Sequence, residues 1–268
     1  MPDNRYKILG RSRFRQKEAS NNDGSLSLFE QYGGVLQSKV LKTTNGALAL
    51  PQFAGITTYR WTAKTIDGSP ADGSPVTNWT DTEQSVTLNA AIPAREPTYR
   101  ENYASSGYPA IEFDGTSDYL LNNTNPIHTT NLSTLFFVVR GQVYNTGEAE
   151  YLVAGGSAGR HGVATHTSTR FFMYAGVVAY SAGGQTMVNK LYKARFNETS
   201  SDLFADGVQV ITGKNVGTQV RKGLVVGGAY DGSLYVEAAF HEVISYDGLL
   251  SVAQEAEVET YLTAEWGL

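Results

Sequence analysis

At 268 residues the chain has room for one large domain with an appendage, and 41% apolar residues are enough for a packed core. Only 18% of residues are charged, which is low for a helical protein, and the absence of cysteine excludes disulfides, thiolate nucleophiles and Cys-ligated metal sites. The net charge of −5 is uneven: residues 1–17 carry six basic side chains (Arg5, Lys7, Arg11, Arg13, Arg15, Lys17) against Asp3, a net +5, which leaves −10 for residues 18–268.

Residues 1–50 show little sustained periodicity. Short alternating pieces, Val35 to Leu41 and Ala47 to Leu50, are broken by Gly-Gly and Asn-Gly. They predict an extended arm with one or two strands, whose basic start fits an acidic protein surface. Nucleic acid is not expected as a partner, because the arm has few aromatic side chains to stack on bases. No run is long and apolar enough for a signal peptide or a membrane span, so synthesis in the cytoplasm and no membrane partner are expected.

From about Tyr59 the texture changes. Six of the seven Asp-Gly pairs fall here (Asp67, Asp72, Asp114, Asp206, Asp231, Asp247), and Asp-Gly suits tight turns because both residues tolerate positive φ. Between them lie alternating or β-branched runs such as "STLFFVVRG", "EYLVAGG", "TRFFMYAGVVAYS" and "YVEAAFHEVISY". Short strands at turn-limited spacing predict an antiparallel sandwich or barrel. One helix closes the chain. Ser251 is placed as N-cap with Gln254 completing a capping box, Val258, Tyr261 and Leu262 form an apolar face, and Trp266 is expected to be structural.

The stretches "TTYRWTAKTIDGSPADGSPVTNWTD", "EPTYRENYASSGYPAIEFDGTSDYLL", "STLFFVVRG" and "YVEAAFHEVISYDGLLSVAQEAEVETYLTAEWGL" follow one another in a recognisable order. In that order the chain resembles the LamG-like, concanavalin A-like lectin/glucanase domains of phage structural and bacterial surface proteins, over roughly residues 58–268. The resemblance rests on Trp61, Trp79-Thr80-Asp81, Pro97-Thr98-Tyr99, the segment from Pro109 to Gly115, the segment from Glu242 to Asp247 and the closing Trp266-Gly267. It implies an all-β fold, a jelly-roll sandwich of two antiparallel sheets with a C-terminal helix. The expected division is a basic N-terminal arm over 1–50 and the sandwich over 51–268. Trp61 and Trp79 are then packing residues, and Asp114-Gly115 and Asp247-Gly248 are structural turns.

The chemistry is sparse. Some sandwiches of this kind hydrolyse glycosides with two carboxylates on one sheet face. Here Glu237 and Glu242 are five apart, which on a regular strand turns them to opposite faces. "GGSAG" around Ser157 has the Gly-x-Ser-x-Gly spacing, but the residues after it do not read as the required helix. His161 and His166 are likewise five apart, and His128 and His241 are isolated, so no metal or relay pattern emerges. The chain is therefore expected not to be an enzyme. No cofactor is expected. The resemblance admits calcium at the sandwich rim, but no ligand set can be named from the spacing of the acids.

For glycan binding, the useful elements are loop aromatics beside Asp or Asn. The candidates are Tyr103, Tyr108, Tyr144, Tyr230 and Asp231. The combined expectation is a phage virion structural protein (capsid decoration, head fibre or tail attachment). Its arm (Arg5, Lys7, Arg11, Arg13, Arg15, Lys17) would dock on a capsid or tail protein, as a homo-oligomer at the virion surface, and its sandwich would meet glycans. The alternatives are a free glycan-binding module of a bacterial cell surface and a carbohydrate-active enzyme.

Overall fold

The run "STLFFVVRGQV" forms the longest strand of the structure, a computed structural model that describes residues 29–32, 35–38, 48–123, 127–143, 149–156, 161–166, 169–183 and 190–268. The arm residues Arg5, Lys7, Arg11, Arg13, Arg15 and Lys17, together with Tyr144 and Ser157, lie outside the described residues. The chain divides into two units, Met1–Pro51 with Val252–Gly267 and Gln52–Ser251 with Leu268.

In the first unit β1 (Phe29–Tyr32) and β2 (Val35–Ser38) pair antiparallel, so part of the arm is strand. The same unit holds α1 (Val252–Trp266), which begins directly after Ser251. Val258, Tyr261, Leu262 and Trp266 are all fully buried, in agreement with the apolar face read from their spacing.

The second unit is built on strands, with three single turns of 3-10 helix in its described loops. In chain order it holds β3 (Thr58–Thr62), β4 (Asn78–Thr80), β5 (Thr87–Asn89), β6 (Thr98–Arg100), β7 (Ala110–Asp114), β8 (Leu120–Asn122) and β9 (Ser133–Val143). They are followed by β10 (Ala149–Ala154), β11 (Gly162–His166), β12 (Phe171–Tyr174), β13 (Val178–Tyr180), β14 (Leu191–Phe196), β15 (Ser201–Ala205), β16 (Val208–Lys214), β17 (Leu224–Val226) and β18 (Glu237–Tyr246). One antiparallel sheet runs β16-β15-β14-β9-β18-β7-β6, with β3 also on β18; the other runs β13-β12-β11-β10-β17-β8-β5-β4. The fold is an antiparallel β-sandwich with a C-terminal helix, as the sequence implied.

Alternation decides which residues enter the core. On β9, Leu135, Phe137 and Val139 face the core, which they share with Leu152, Phe171 and Met173 of the opposite sheet. Each ring buried this way contributes on the order of 2–3 kcal/mol. Trp61 and Trp79 are fully buried, and their indole N–H groups donate to Val86 O and Thr62 O at 3.1 Å, so neither ring strands its polar atom. One Asp-Gly pair behaves as read: Asp206 (φ 47°) and Gly207 (φ 77°) link β15 to β16 as a two-residue hairpin, whereas in the other described pairs only the glycine has positive φ.

The feature that positions the site is on β18. Its first half, Glu237 to Phe240, pairs with β7, and its second half, Glu242 to Tyr246, pairs with β3 on the same edge. At the hand-over the register against β9 shifts between Phe240 and Glu242. There the Ala63 N–H donates to His241 O (2.8 Å), and His241 Nδ1–H donates to Pro109 O (2.7 Å). This bulge corrects one expectation. Ala238, Phe240 and Val243 point into the core, so Glu237 and Glu242 share the other face instead of opposing one another. Five residues of strand still separate them by roughly 16 Å.

Candidate functional site

β6, β7 and the start of β18 lie side by side, and their core-facing residues are Tyr99, Ile111, Phe113, Ala238 and Phe240. Alternation therefore turns Thr98, Arg100, Glu112, Asp114 and Glu237 to the other face. With Phe113 and Asp118 they line a cleft of about 370 Å³. Arg100 Nε donates to Glu112 Oε2 at 2.6 Å, and about a third or more of each side chain stays exposed. The carboxylate of Glu112 beside Arg100 holds its guanidinium above the ordinary arginine range.

The far wall is a built turn. Asp114 accepts hydrogen bonds from the backbone N–H groups of Thr116, Ser117 and Asp118 and from the Thr116 hydroxyl, which together hold its carboxyl far below the usual range. Asp118, whose Oδ2 accepts the Asp114 N–H at 3.1 Å, is pushed up to about 6, first by burial and then by the charge of Asp114. The cleft thus holds neighbouring carboxyls of different protonation near pH 6. Asp114 is the structural turn residue that the resemblance implied, and it is also part of the cleft lining.

The sequence-derived candidates divide. Tyr103 and Tyr108 come together on the loop between β6 and β7, where Tyr103 N–H donates to Tyr108 O at 3.0 Å. Tyr103 is half-buried, packs edge-on against the His241 ring and sets its hydroxyl over Gly141. Burial, then the charges of Glu112 and Glu237, raise its phenol above the ordinary value, which places the ring beside the cleft acids. The Tyr108 ring faces the Lys64 ammonium at 5.8 Å and the Arg140 guanidinium at 5.7 Å.

Tyr230 and Asp231 lie elsewhere, on the loop between β17 and β18. Tyr230 packs against an apolar cluster of the other sheet, and Asp231 accepts the Ser233 hydroxyl at 2.6 Å. That cluster belongs to an aromatic row the sequence reading missed: Tyr151, Ala164, Phe172 and Tyr180 stand opposite one another on β10, β11, β12 and β13. Ring centroids are 5.4 Å apart for Tyr151–Phe172 and 5.8 Å for Phe172–Tyr180, with Tyr180 44% exposed. Its signal was present as even-numbered aromatics in "FFMYAGVVAY". Arg100, Glu112 and Asp118 were missed for a different reason: no local motif joins them to one another or to Glu237, which the sequence offered only in a pair with Glu242.

The histidines also separate. His161 stacks on Phe196 inside the sandwich, whereas His166 faces outward against Tyr180, as the spacing of five required. Among the described residues, no cluster of three or more His, Asp or Glu is arranged to hold a metal ion, and no helix is long and apolar enough to cross a membrane.

Neither a protein-family model nor a curated protein matches this chain. Solved structures do. Trypanosoma rangeli sialidase in complex with sialic acid is similar at TM-score 0.55 and 16% identity, over 81% of this chain and 34% of that one. A further structure of that sialidase gives TM-score 0.57 at 15% identity, over 81% and 34%. The CBM40 of Ruminococcus gnavus IT-sialidase bound to α2,3-sialyllactose gives 0.43 at 14%, over 57% and 95%. The chain spans about a third of the length of the T. rangeli sialidase, and the likeness shows the fold. It also corrects one expectation. The structures that share the fold are sialidases, which are catalytic, so a non-enzymatic role does not follow from the architecture.

Proposed function

We propose that this chain is a glycan-binding β-sandwich whose ligand lies in the cleft between Tyr103, Arg100, Glu112 and Glu237. The observation that carries the reading is one cleft lined by hydrogen-bonding side chains of both polarities, with the half-buried Tyr103 ring near enough to Glu112 and Glu237 to feel their charges. A sugar presents an apolar C–H face to a ring and hydroxyls to carboxylates and guanidinium. Four acids against one guanidinium already bound to Glu112 favour neutral, hydroxyl-rich sugars, since an anionic sugar would meet Asp114, Asp118 and Glu237 without a free cation. The test is a glycan array with the full chain, followed by product analysis of every bound glycan. Binding to neutral glycans supports the reading, and binding confined to anionic ones overturns it.

A second reading places the glycan on the row of Tyr151, Phe172 and Tyr180. It is favoured by the exposure of Tyr180 in a line of rings that a flat polysaccharide could cover.

The wider setting is the virion. In this reading residues 1–50 attach the sandwich to a capsid or tail protein through Arg5, Lys7, Arg11, Arg13, Arg15 and Lys17. The support is the charge asymmetry of the chain and its resemblance to phage structural domains. Light scattering of the full chain at low and high salt tests it, with the six basic residues replaced by Gln as control. Salt-dependent assembly lost in the variant supports an anchoring arm; identical monomers contradict it.

A further inference from the structure

At the sandwich end that carries the β8–β9 loop lies a buried polar cluster that the cleft does not use. Arg221 is 0% exposed, as are His161 and Ser245, and His128 is 2% exposed. The Arg221 Nη1–H donates to Ser245 Oγ at a long 3.5 Å, while its Nε and Nη2 have no hydrogen-bond partner among the described residues. No carboxylate pairs with it among the described residues.

The acid at the edge of the cluster, Asp247, faces His128 and forms no ion pair with Arg221. Ser245 Oγ lies 2.7 Å from His128 Nε2, and His128 Nδ1 faces Asp247 Oδ1 at 3.9 Å. Asp247 in turn accepts the Thr129 N–H and hydroxyl at 3.0 and 2.8 Å. Ser245 donates to Nε2 of a neutral His128, and His128 Nδ1 is left without a hydrogen-bond partner among the described residues. The order Ser–His–Asp is that of a nucleophilic triad, but Ser245 does not reach the surface in this structure. His161 Nε2–H donates to Gln219 O, its ring stacks on Phe196 at 4.5 Å, and Arg221 lies over the same Phe196 at 5.4 Å. Burial, then the charge of Arg221, keeps both histidines neutral.

A fully buried charge left unpaired is strongly unfavourable. The bare atoms, Nε and Nη2, form the side-on edge of the guanidinium, the two-donor fork that grips anions. We propose that this edge of Arg221 holds one small monovalent anion of the halide class inside the sandwich. A water at these atoms would leave the positive charge unbalanced.

The direct test is anomalous diffraction from crystals of the full chain grown with bromide. A bromide peak within hydrogen-bond reach of both Nε and Nη2 is expected; waters alone at those atoms overturn the proposal. In solution, thermal unfolding is compared in chloride and in gluconate at constant ionic strength. The wild-type chain is expected to melt several degrees higher in chloride, and Arg221→Met is expected to lose that difference. An equal response of both chains to chloride overturns the proposal, and if Arg221→Met does not fold, the bromide experiment decides.

Discussion

Arg100 and Glu112 sit on neighbouring strands, and their side chains meet at 2.6 Å on the rim of the cleft. Because both remain a third or more exposed, the pair contributes less than about 1 kcal/mol to folding. Its use is to fix a donor group and an acceptor group in one place. Glu112→Gln is expected to leave the melting temperature nearly unchanged and to weaken glycan binding by tenfold or more, read by titration calorimetry.

Gly141 carries Tyr103. Its φ of +63° and the Tyr103 hydroxyl lying where a Cβ would go exclude a side chain at this position. Gly141→Ala is expected to cost about 1–3 kcal/mol in urea unfolding and to displace the ring, so that binding falls as it does for Tyr103→Ala. Destabilisation without loss of binding would separate Tyr103 from the site.

Asp118 has a defined pH signature. Its folded value of about 6 lies above the unfolded value of about 3.9, so the folded state binds the extra proton in between. Its contribution is largest below about pH 4, declines as pH rises, and is least favourable above pH 6. Asp118→Asn is expected to stabilise the chain at pH 7 by about 1 kcal/mol, after allowance for partial exposure, and to give no gain at pH 4. Denaturation at the two pH values reads this directly.

The buried histidines act in the opposite sense. Burial holds His161 at about 3 and His241 at about 4, and His128 well below its usual value, against about 6.5 unfolded. Their stabilisation is complete above pH 6.5 and is lost as pH falls toward the folded values, at up to about 1.4 kcal/mol per pH unit for each. His241→Asn, which keeps a donor for Pro109 O, is expected to flatten the fall in stability between pH 6.5 and 4. An unchanged slope would contradict the assignment.

What was legible in the sequence was local. The Asp206–Gly207 hairpin, the alternation on β9 and the helix after Ser251 are each set within a dozen residues, and each formed where the pattern put it. Tyr103 lies beside the cleft acids because its loop follows directly on the strand that carries Arg100. The rest depended on distant pairing. Glu237 joins Glu112 only because β18 lies beside β7, and the bulge at His241, invisible to a rule of strict alternation, arises where β18 passes from β7 to β3. Tyr230 and Asp231 looked equivalent to Tyr103 as loop residues, but their loop packs on the other sheet.

The central claim is that the ligand binds between Tyr103 and the Arg100–Glu112 pair. It is tested most directly by calorimetric titration of one array-positive neutral glycan into the wild-type chain, Tyr103→Ala and Tyr180→Ala. The account predicts at least a tenfold loss of affinity for Tyr103→Ala and wild-type affinity for Tyr180→Ala. The reverse pattern would move the site to the aromatic row and contradict the account.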